Sequence, residues 1–155
     1  MTTINEMDRK ILRALMEDGR QPNTQLAETV GLSPSQCWQR VRRLEEAGII
    51  AGYHARLNQE LMGVPEIVLV EITLERNEGY QLEQIGQTLA ELPEVLEMHV
   101  TSGEFDLFIK IAVSGTRGYE EFLKNKLYRI SGIRHSRSIF SLRCFKNEMS
   151  YVPLS

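Results

Sequence analysis

The stretch from Gly31 to Ile50, GLSPSQCWQRVRRLEEAGII, decides how the rest of the chain is read. Ser33 is a strong helix N-cap, Pro34 suits the first helical position where no N–H is needed, and Gln36 completes a Ser-x-x-Gln capping box. A helix is therefore predicted from Pro34. Within it Cys37, Val41 and Leu44 recur at spacings of four and three and define a buried face. Gln36, Gln39, Arg40 and Arg43 point elsewhere, and no acid occurs in the helix before Glu45. Upstream, Asn23 is expected to cap a short helix carrying Leu26, Ala27 and Val30, ended by Gly31 in a left-handed conformation. Two helices joined by so short a turn, with small Ala27 at their crossing and Cys37 filling the angle between them, have the layout of a helix-turn-helix.

The second helix of such a pair can enter the major groove of duplex DNA. Arginine bonds bidentately to guanine and glutamine to adenine, so residue types matter as much as charge. Ser35, Gln36 and Gln39 lie near the helix start, where base edges come within reach; Arg40, Arg42 and Arg43 suit bases or phosphates; Trp38 suits packing or backbone contact. Three arginines on a helix are also what a solvated face carries. The capped short helix, the turn glycine and the second capped helix together favour the DNA reading.

Composition sets the frame. A chain of 155 residues with 42% hydrophobic content can bury a core as one domain or two small ones. The formal charge of −3 gives no global nucleic-acid signature. Residues 1–60 are balanced, with eight acids and eight bases, and the deficit lies in the remainder. Cys37 and Cys144 form no CxxC pair and no metal-ligand spacing, so a reducing cytoplasm is the expected setting. His54, His99 and His135 are scattered, and neither a metal site nor a cofactor is expected. Cys37 as a redox sensor is outweighed by its phase with Val41 and Leu44, which predicts burial. No signal peptide and no membrane span are read from the sequence.

Taken in order, a first helix should begin at Asn5 with Asp8 as capping partner, bury Ile11, Leu12 and Leu15, and stop near Asp18-Gly19. Ile49 to Leu57 (IIAGYHARL) reads as a two-stranded ribbon or wing, with Arg56 available to the DNA backbone. Residues 1–60 are then a winged helix-turn-helix, residues 61–65 a linker around Gly63 and Pro65, and residues 66–155 a second domain. In that domain Val68, Val70, Ile72 and Leu74 alternate as the buried face of a strand. Leu82, Ile85, Leu89 and Leu92 follow at helical spacing, ended by Pro93. Val95 to Thr101 alternates again, with Leu96, Met98 and Val100 on one face. Phe105, Leu107, Ile109, Ile111 and Val113 form a further strand face; Tyr119, Phe122, Leu123 and Leu127 point inward from a helix closed by Gly132; a last strand runs from Ile133 to about Phe145.

Strand-helix-strand-strand-helix-strand is the ferredoxin-like βαββαβ arrangement, so the whole chain is α+β. One sheet face is left uncovered with Ile67, Leu69, Val95, Phe108 and Ile139 on it. Such a face calls for a partner sheet, most simply in a two-fold dimer, which would also present two recognition helices to half-sites about 34 Å apart.

Several strings resemble the Lrp/AsnC family of leucine-responsive regulators: DRKIL (Asp8–Leu12), LAETVGLSPSQCWQRVRRLEEAGII (Leu26–Ile50), PEV (Pro93–Val95), GEFDLF (Gly103–Phe108) and VPL (Val152–Leu154). The resemblance spans nearly the whole chain. It implies a cytoplasmic, non-enzymatic DNA-binding regulator, a homodimer assembling into octamers or related rings, whose assembly or DNA affinity changes when an amino acid binds. The family's glycine-acid-aromatic-Asp-aromatic turn falls on Gly103, Glu104, Phe105, Asp106 and Leu107, with Phe105 in place of a common tyrosine and Leu107 in place of a second aromatic. Backbone N–H groups of a tight glycine turn can hold a carboxylate, and Asp106 can hold an ammonium, which together recognise a free α-amino acid. Thr101, Ser102, Ser136 and Ser138 are the candidate neighbours. Asp106 as a simple turn cap is the plainer alternative. Glu104 and Asp106 form a carboxylate pair without a nucleophile, so hydrolysis is not supported. The competing function is an amino-acid-binding assembly module that acts on a protein partner rather than on DNA.

Overall fold

The computed structural model describes residues 3–75, 80–148 and 150–153. Its contacts divide the chain into two compact units, residues 1–56 with 146–155, and residues 57–145.

The first unit is built on three helices, α1 (Glu6–Glu17), α2 (Asn23–Val30) and α3 (Pro34–Glu46). Both expected capping boxes form. The Asn5 side chain accepts from the Asp8 N–H while the Asp8 carboxylate accepts from the Asn5 N–H, each at 3.0 Å. Ser33 and Gln36 make the same reciprocal pair at the start of α3. Gly31 closes α2 at φ 75° and ψ 39°, the left-handed region in which a Cβ is penalised. The small core contains Ile11, Ala14, Leu26, Ala27, Val30, Cys37 and Leu44, with Leu12, Leu15 and Val41 half-buried around it. Cys37 and Leu44 are completely buried, as their phase predicts.

Two local expectations are corrected. Asn23 is not a cap: the helix begins at Asn23 itself, Pro22 stands at the cap position without a side-chain bond, and the Asn23 amide instead donates to the Pro34 carbonyl at 2.7 Å, tying α2 to the start of α3. Nor does the stretch Ile49 to Leu57 form a ribbon; it carries no regular strand. The Ile49 and Ile50 N–H groups are both spent on the Leu44 carbonyl, at 2.9 and 3.2 Å, and so close α3 rather than open a ladder. A two-stranded ribbon so short has little independent stability. Residues 146–155, expected with the second domain, group with the helices: the Arg9 Nε donates to the Pro153 carbonyl at 3.1 Å. Leu154 of the VPL string lies outside the described residues.

The second unit runs β1 (Glu66–Leu74), α4 (Tyr80–Ala90), β2 (Val95–Val100), β3 (Leu107–Val113), α5 (Thr116–Asn125), a 3-10 turn (Leu127–Arg129) and β4 (Ile133–Phe140). The sheet order is β2-β3-β1-β4, with every neighbouring pair antiparallel, which is the ferredoxin-like topology. Val68, Val70, Ile72 and Leu74 face Ile85 and Leu89 of α4 and Tyr119 and Phe122 of α5 within one core, together with Leu107, Ile109, Ile111 and Val113. Leu127 is fully buried there, but from the 3-10 turn rather than from α5.

Strand β2 departs from simple alternation. Val95 pairs with Ile111 while Glu97 pairs with Lys110, so the register shifts at Leu96. A bulge of this kind puts one extra residue in the strand and reverses the facing of what precedes it. Val95 and Met98 therefore both pack against the core, and Leu96 and Val100 are exposed. Val95 consequently leaves the set expected on the uncovered face. Ile67, Leu69 and Phe108 remain there half-buried and Ile139 is 41% exposed. Register puts Leu69 between Lys110 and Ile139, and the ion pairs Lys110–Glu97 at 2.7 Å and Arg137–Glu71 at 2.5 Å cross the same face.

Candidate functional site

On α3, Ser35, Gln39, Arg42 and Glu46 follow the i, i+4, i+7, i+11 pattern and are all exposed, so they form the outward row of the helix. Gln36 is exposed on one flank, with its side-chain oxygen engaged at the cap by Ser33. Trp38 stands on the other flank, 52% exposed, under the Arg42 guanidinium at 5.2 Å. It borders a cleft lined also by Leu15, Leu26, Val41 and Tyr53. The Arg42 Nε also donates to Glu46 at 2.7 Å.

Arg40 and Arg43 are arranged differently. The Arg40 Nη1 donates to Asp8 Oδ1 at 2.8 Å and the Arg43 Nη2 to Asp8 Oδ2 at 2.5 Å. Asp8 is 0% exposed, the buried charged side chain of this unit among the described residues. Burial pushes its carboxyl pKa up, but the Asn5 N–H and the two guanidiniums outweigh that and hold it below the ordinary value. Asp8 was legible only as a cap. The missed signal is its phase: Asp8, Ile11, Leu12 and Leu15 stand at i, i+3, i+4 and i+7, so the acid lies on the apolar stripe of α1 and must meet a partner inside.

Cys37 is buried beneath the same helix, and that burial raises its thiol pKa, the opposite of what a reactive thiolate needs. The Tyr53 hydroxyl donates to Glu45 at 3.0 Å; burial first, then that carboxylate, pushes its pKa up to about 12.

The second candidate site is the turn from Thr101 to Asp106, between β2 and β3. Gly103 has φ 152°, a backbone setting that favours glycine, with open space where a Cβ would stand. The Thr101 hydroxyl donates to the Phe105 carbonyl at 2.6 Å and the Thr101 N–H to the Asp106 carbonyl at 3.0 Å. Asp106 is anchored to the end of β1: its N–H donates to the Ile72 carbonyl at 3.0 Å and its Oδ2 accepts from the Leu74 N–H at 2.7 Å. One carboxylate oxygen thus fixes the turn. Ser102 and Glu104 sit on the exposed tip.

Ser136 and Ser138 are in register with Ile72 and Val70, residues of the helix-facing side of the sheet. Their hydroxyls bond to tyrosines there, Ser138 with Tyr119 in a short contact and Ser136 with Tyr128 at 3.5 Å. Between them Arg137 projects to the opposite face, where its guanidinium lies 4.9 Å over the Phe105 ring and pairs with Glu71. Glu71 chiefly, with added charge from Glu104, raises the Arg137 pKa further. Arg137 is the residue beside the turn that sequence reading missed, and strand alternation with the flanking serines could have found it. No group of His, Cys, Asp and Glu suited to a metal ion occurs among the described residues. No helix among them is long and apolar enough to cross a membrane.

Comparison with known proteins fits both units. Residues 4–51 match a winged helix-turn-helix DNA-binding family model, and residues 67–151 match the Lrp/AsnC ligand binding domain. The leucine-responsive regulatory protein of Escherichia coli K12 is 40% identical over 135 residues, 87% of this chain and 82% of that protein. A Neisseria meningitidis transcriptional regulator solved as an L-Met complex superposes with a TM-score of 0.92 at 30% identity, covering 98% of this chain and 97% of that one. The feast or famine regulatory protein of Mycobacterium tuberculosis, complexed with L-methionine, gives 0.86 at 30% identity over 97% of this chain and all of its own. With a capped recognition helix in one unit and the glycine turn on a ferredoxin-like sheet in the other, the chain belongs to the Lrp/AsnC family of transcriptional regulators, a non-enzymatic family that binds DNA.

Proposed function

We propose that this regulator senses a free amino acid at the Thr101–Asp106 turn and transmits binding as a change of assembly or of DNA affinity. The observation that carries the reading is the turn itself. Residues 102–104 lie exposed at the tip around Gly103, where backbone N–H groups can meet a carboxylate, while Asp106 supplies a negative charge for the ammonium. L-Methionine is the first effector to test, because two relatives of the same fold were solved with it. Of the neighbours, Thr101, Ser102, Glu104 and Phe105 go with the turn, and Arg137 joins them; Ser136 and Ser138 act through their tyrosine partners.

DNA is read by the outward row of α3, with Ser35, Gln36, Gln39 and Arg42 at base edges and Trp38 beside the backbone. Residues 1–60, joined by 146–155, serve as the DNA-binding domain, 61–65 as linker and 66–145 as the sensing and assembly domain. The half-apolar sheet face around Leu69 pairs two copies, and dimers associate further into octamers or related rings. Coupling follows from linkage, since an effector that binds one assembly better than another shifts the population toward it.

The deciding experiment is fluorescence anisotropy on the DNA upstream of its own gene, and on duplexes selected from a random library, with each of the twenty amino acids added. A change in apparent affinity or stoichiometry caused by one of them supports the sensor. Specific binding indifferent to all twenty refutes it and leaves the regulator intact.

A further inference from the structure

We infer that Asp8 is a positioning residue for DNA recognition: its buried carboxylate fixes the rotation of the recognition helix through Arg40 and Arg43 and withholds both arginines from the DNA. This rests on the family's DNA-binding role and reaches a residue of α1, outside the recognition helix. Asp8 accepts at both oxygens from two side chains three residues apart on α3, at 2.8 and 2.5 Å, and a third bond from the Asn5 N–H fixes the carboxylate to the first turn of α1. A carboxylate held at three points and gripped by two guanidiniums of one helix defines that helix's angle about its own axis, which apolar contacts of Cys37 and Leu44 alone leave looser.

The chemistry of exchange favours this arrangement. Asp8 is 0% exposed, so removing its partners would strand a charge with no access to water. Arg40 and Arg43 cannot leave it for a phosphate without that penalty, although their side chains are 32% and 45% exposed. The basic appearance of the QRVRR string therefore overstates the charge this helix offers to DNA. Of its three arginines, Arg42 stands in the outward row, and its partner Glu46 is an exposed residue of the same helix that yields at little cost.

The test uses the full chain, duplexes selected by it from a random library, and poly(dI-dC) as nonspecific competitor. In Asp8→Asn both guanidiniums are released to phosphates. The expected result is a salt slope, log K against log salt, steeper by up to about 1.8, since each phosphate contact adds about 0.9. The ratio of selected to nonspecific affinity should fall at least tenfold as the helix loosens. Adding Arg40→Ala and Arg43→Ala should return the slope to that of the wild type. If selected and nonspecific binding fall together with no steeper slope, Asp8 only holds the fold and the inference is overturned. Arg43→Ala, at a half-exposed position, keeps the cap and the Arg40 pair and remains testable if Asp8→Asn does not fold. Its salt slope should equal that of the wild type while discrimination drops. A slope shallower by about 0.9 would put Arg43 on a phosphate and overturn the proposal.

Discussion

Truncating Leu44 to alanine should unfold the helical unit selectively. Leu44 is 0% exposed and belongs to a core of seven buried apolar residues among the described residues of its unit. The change removes three carbons, about 2.4 kcal/mol at roughly 0.8 kcal/mol per buried CH₂. Relaxation around the remaining cavity is incomplete, which brings the total to about 3–4 kcal/mol. A unit of this size holds roughly 3–10 kcal/mol in all, so the loss consumes a third or more of it. The chain's one tryptophan, Trp38, lies on α3 and gives this unit its own fluorescence signal. In a urea titration the Trp38 transition should move to much lower denaturant, while the far-UV transition of the sheet unit, whose core shares none of these residues, keeps its midpoint. A Trp38 shift worth less than about 1 kcal/mol would refute the packing account. Equal shifts of both transitions would refute the separation into two cores.

Other expectations are narrower. Gly31→Ala meets no atom within 4 Å, so it should cost only the left-handed backbone penalty, about 1 kcal/mol, in the same titration. At pH 7 a thiol reagent should modify exposed Cys144 rapidly and reach Cys37 only after urea unfolding; two fast thiols would contradict the burial of Cys37. Because Asp8 titrates lower in the folded state than its ordinary value of 3.8, its contribution is fully present above that pH and is lost as the pH falls through the folded value. The urea midpoint of the wild type should therefore drop more steeply from pH 5 to 3 than that of Asp8→Asn. Leu69→Glu puts a charge on the half-apolar sheet face beside Ile139, and light scattering should then find monomers where the wild type gives dimers or larger species.

What could be read from the sequence was what local chemistry determines. The capping boxes at Asn5 and Ser33, the left-handed Gly31 and the burial phase of Cys37 and Leu44 depend on residues within a few positions of one another. The ferredoxin-like order followed from clean alternation in β1 and β3. Features set by distant partners were hidden. Nothing near Asn23 announces that its amide serves the Pro34 carbonyl, and nothing near Ile49 shows that its N–H returns to Leu44. The bulge at Leu96 turned Val95 inward against the pattern of its neighbours, because register is a property of two strands. At the DNA face the charges were visible and their employment was not: Arg40 and Arg43 answer to an acid more than thirty residues upstream. At the turn, Thr101 to Asp106 came together as a contiguous string must, whereas Arg137 arrived from another strand.

The bond from Arg9 to the Pro153 carbonyl has a consequence for the order in which the protein is made. The three helices are complete once Arg56 has been synthesised, yet the segment that groups with them follows the entire sheet unit. At about 5–20 residues per second the ribosome delivers it roughly 5–20 s later. During that interval the helical unit lacks residues 146–153, and the sheet unit must be synthesised before they arrive. Finishing the helical unit is thus a late event of biosynthesis, and a nascent chain completes it only after its sheet unit has been made.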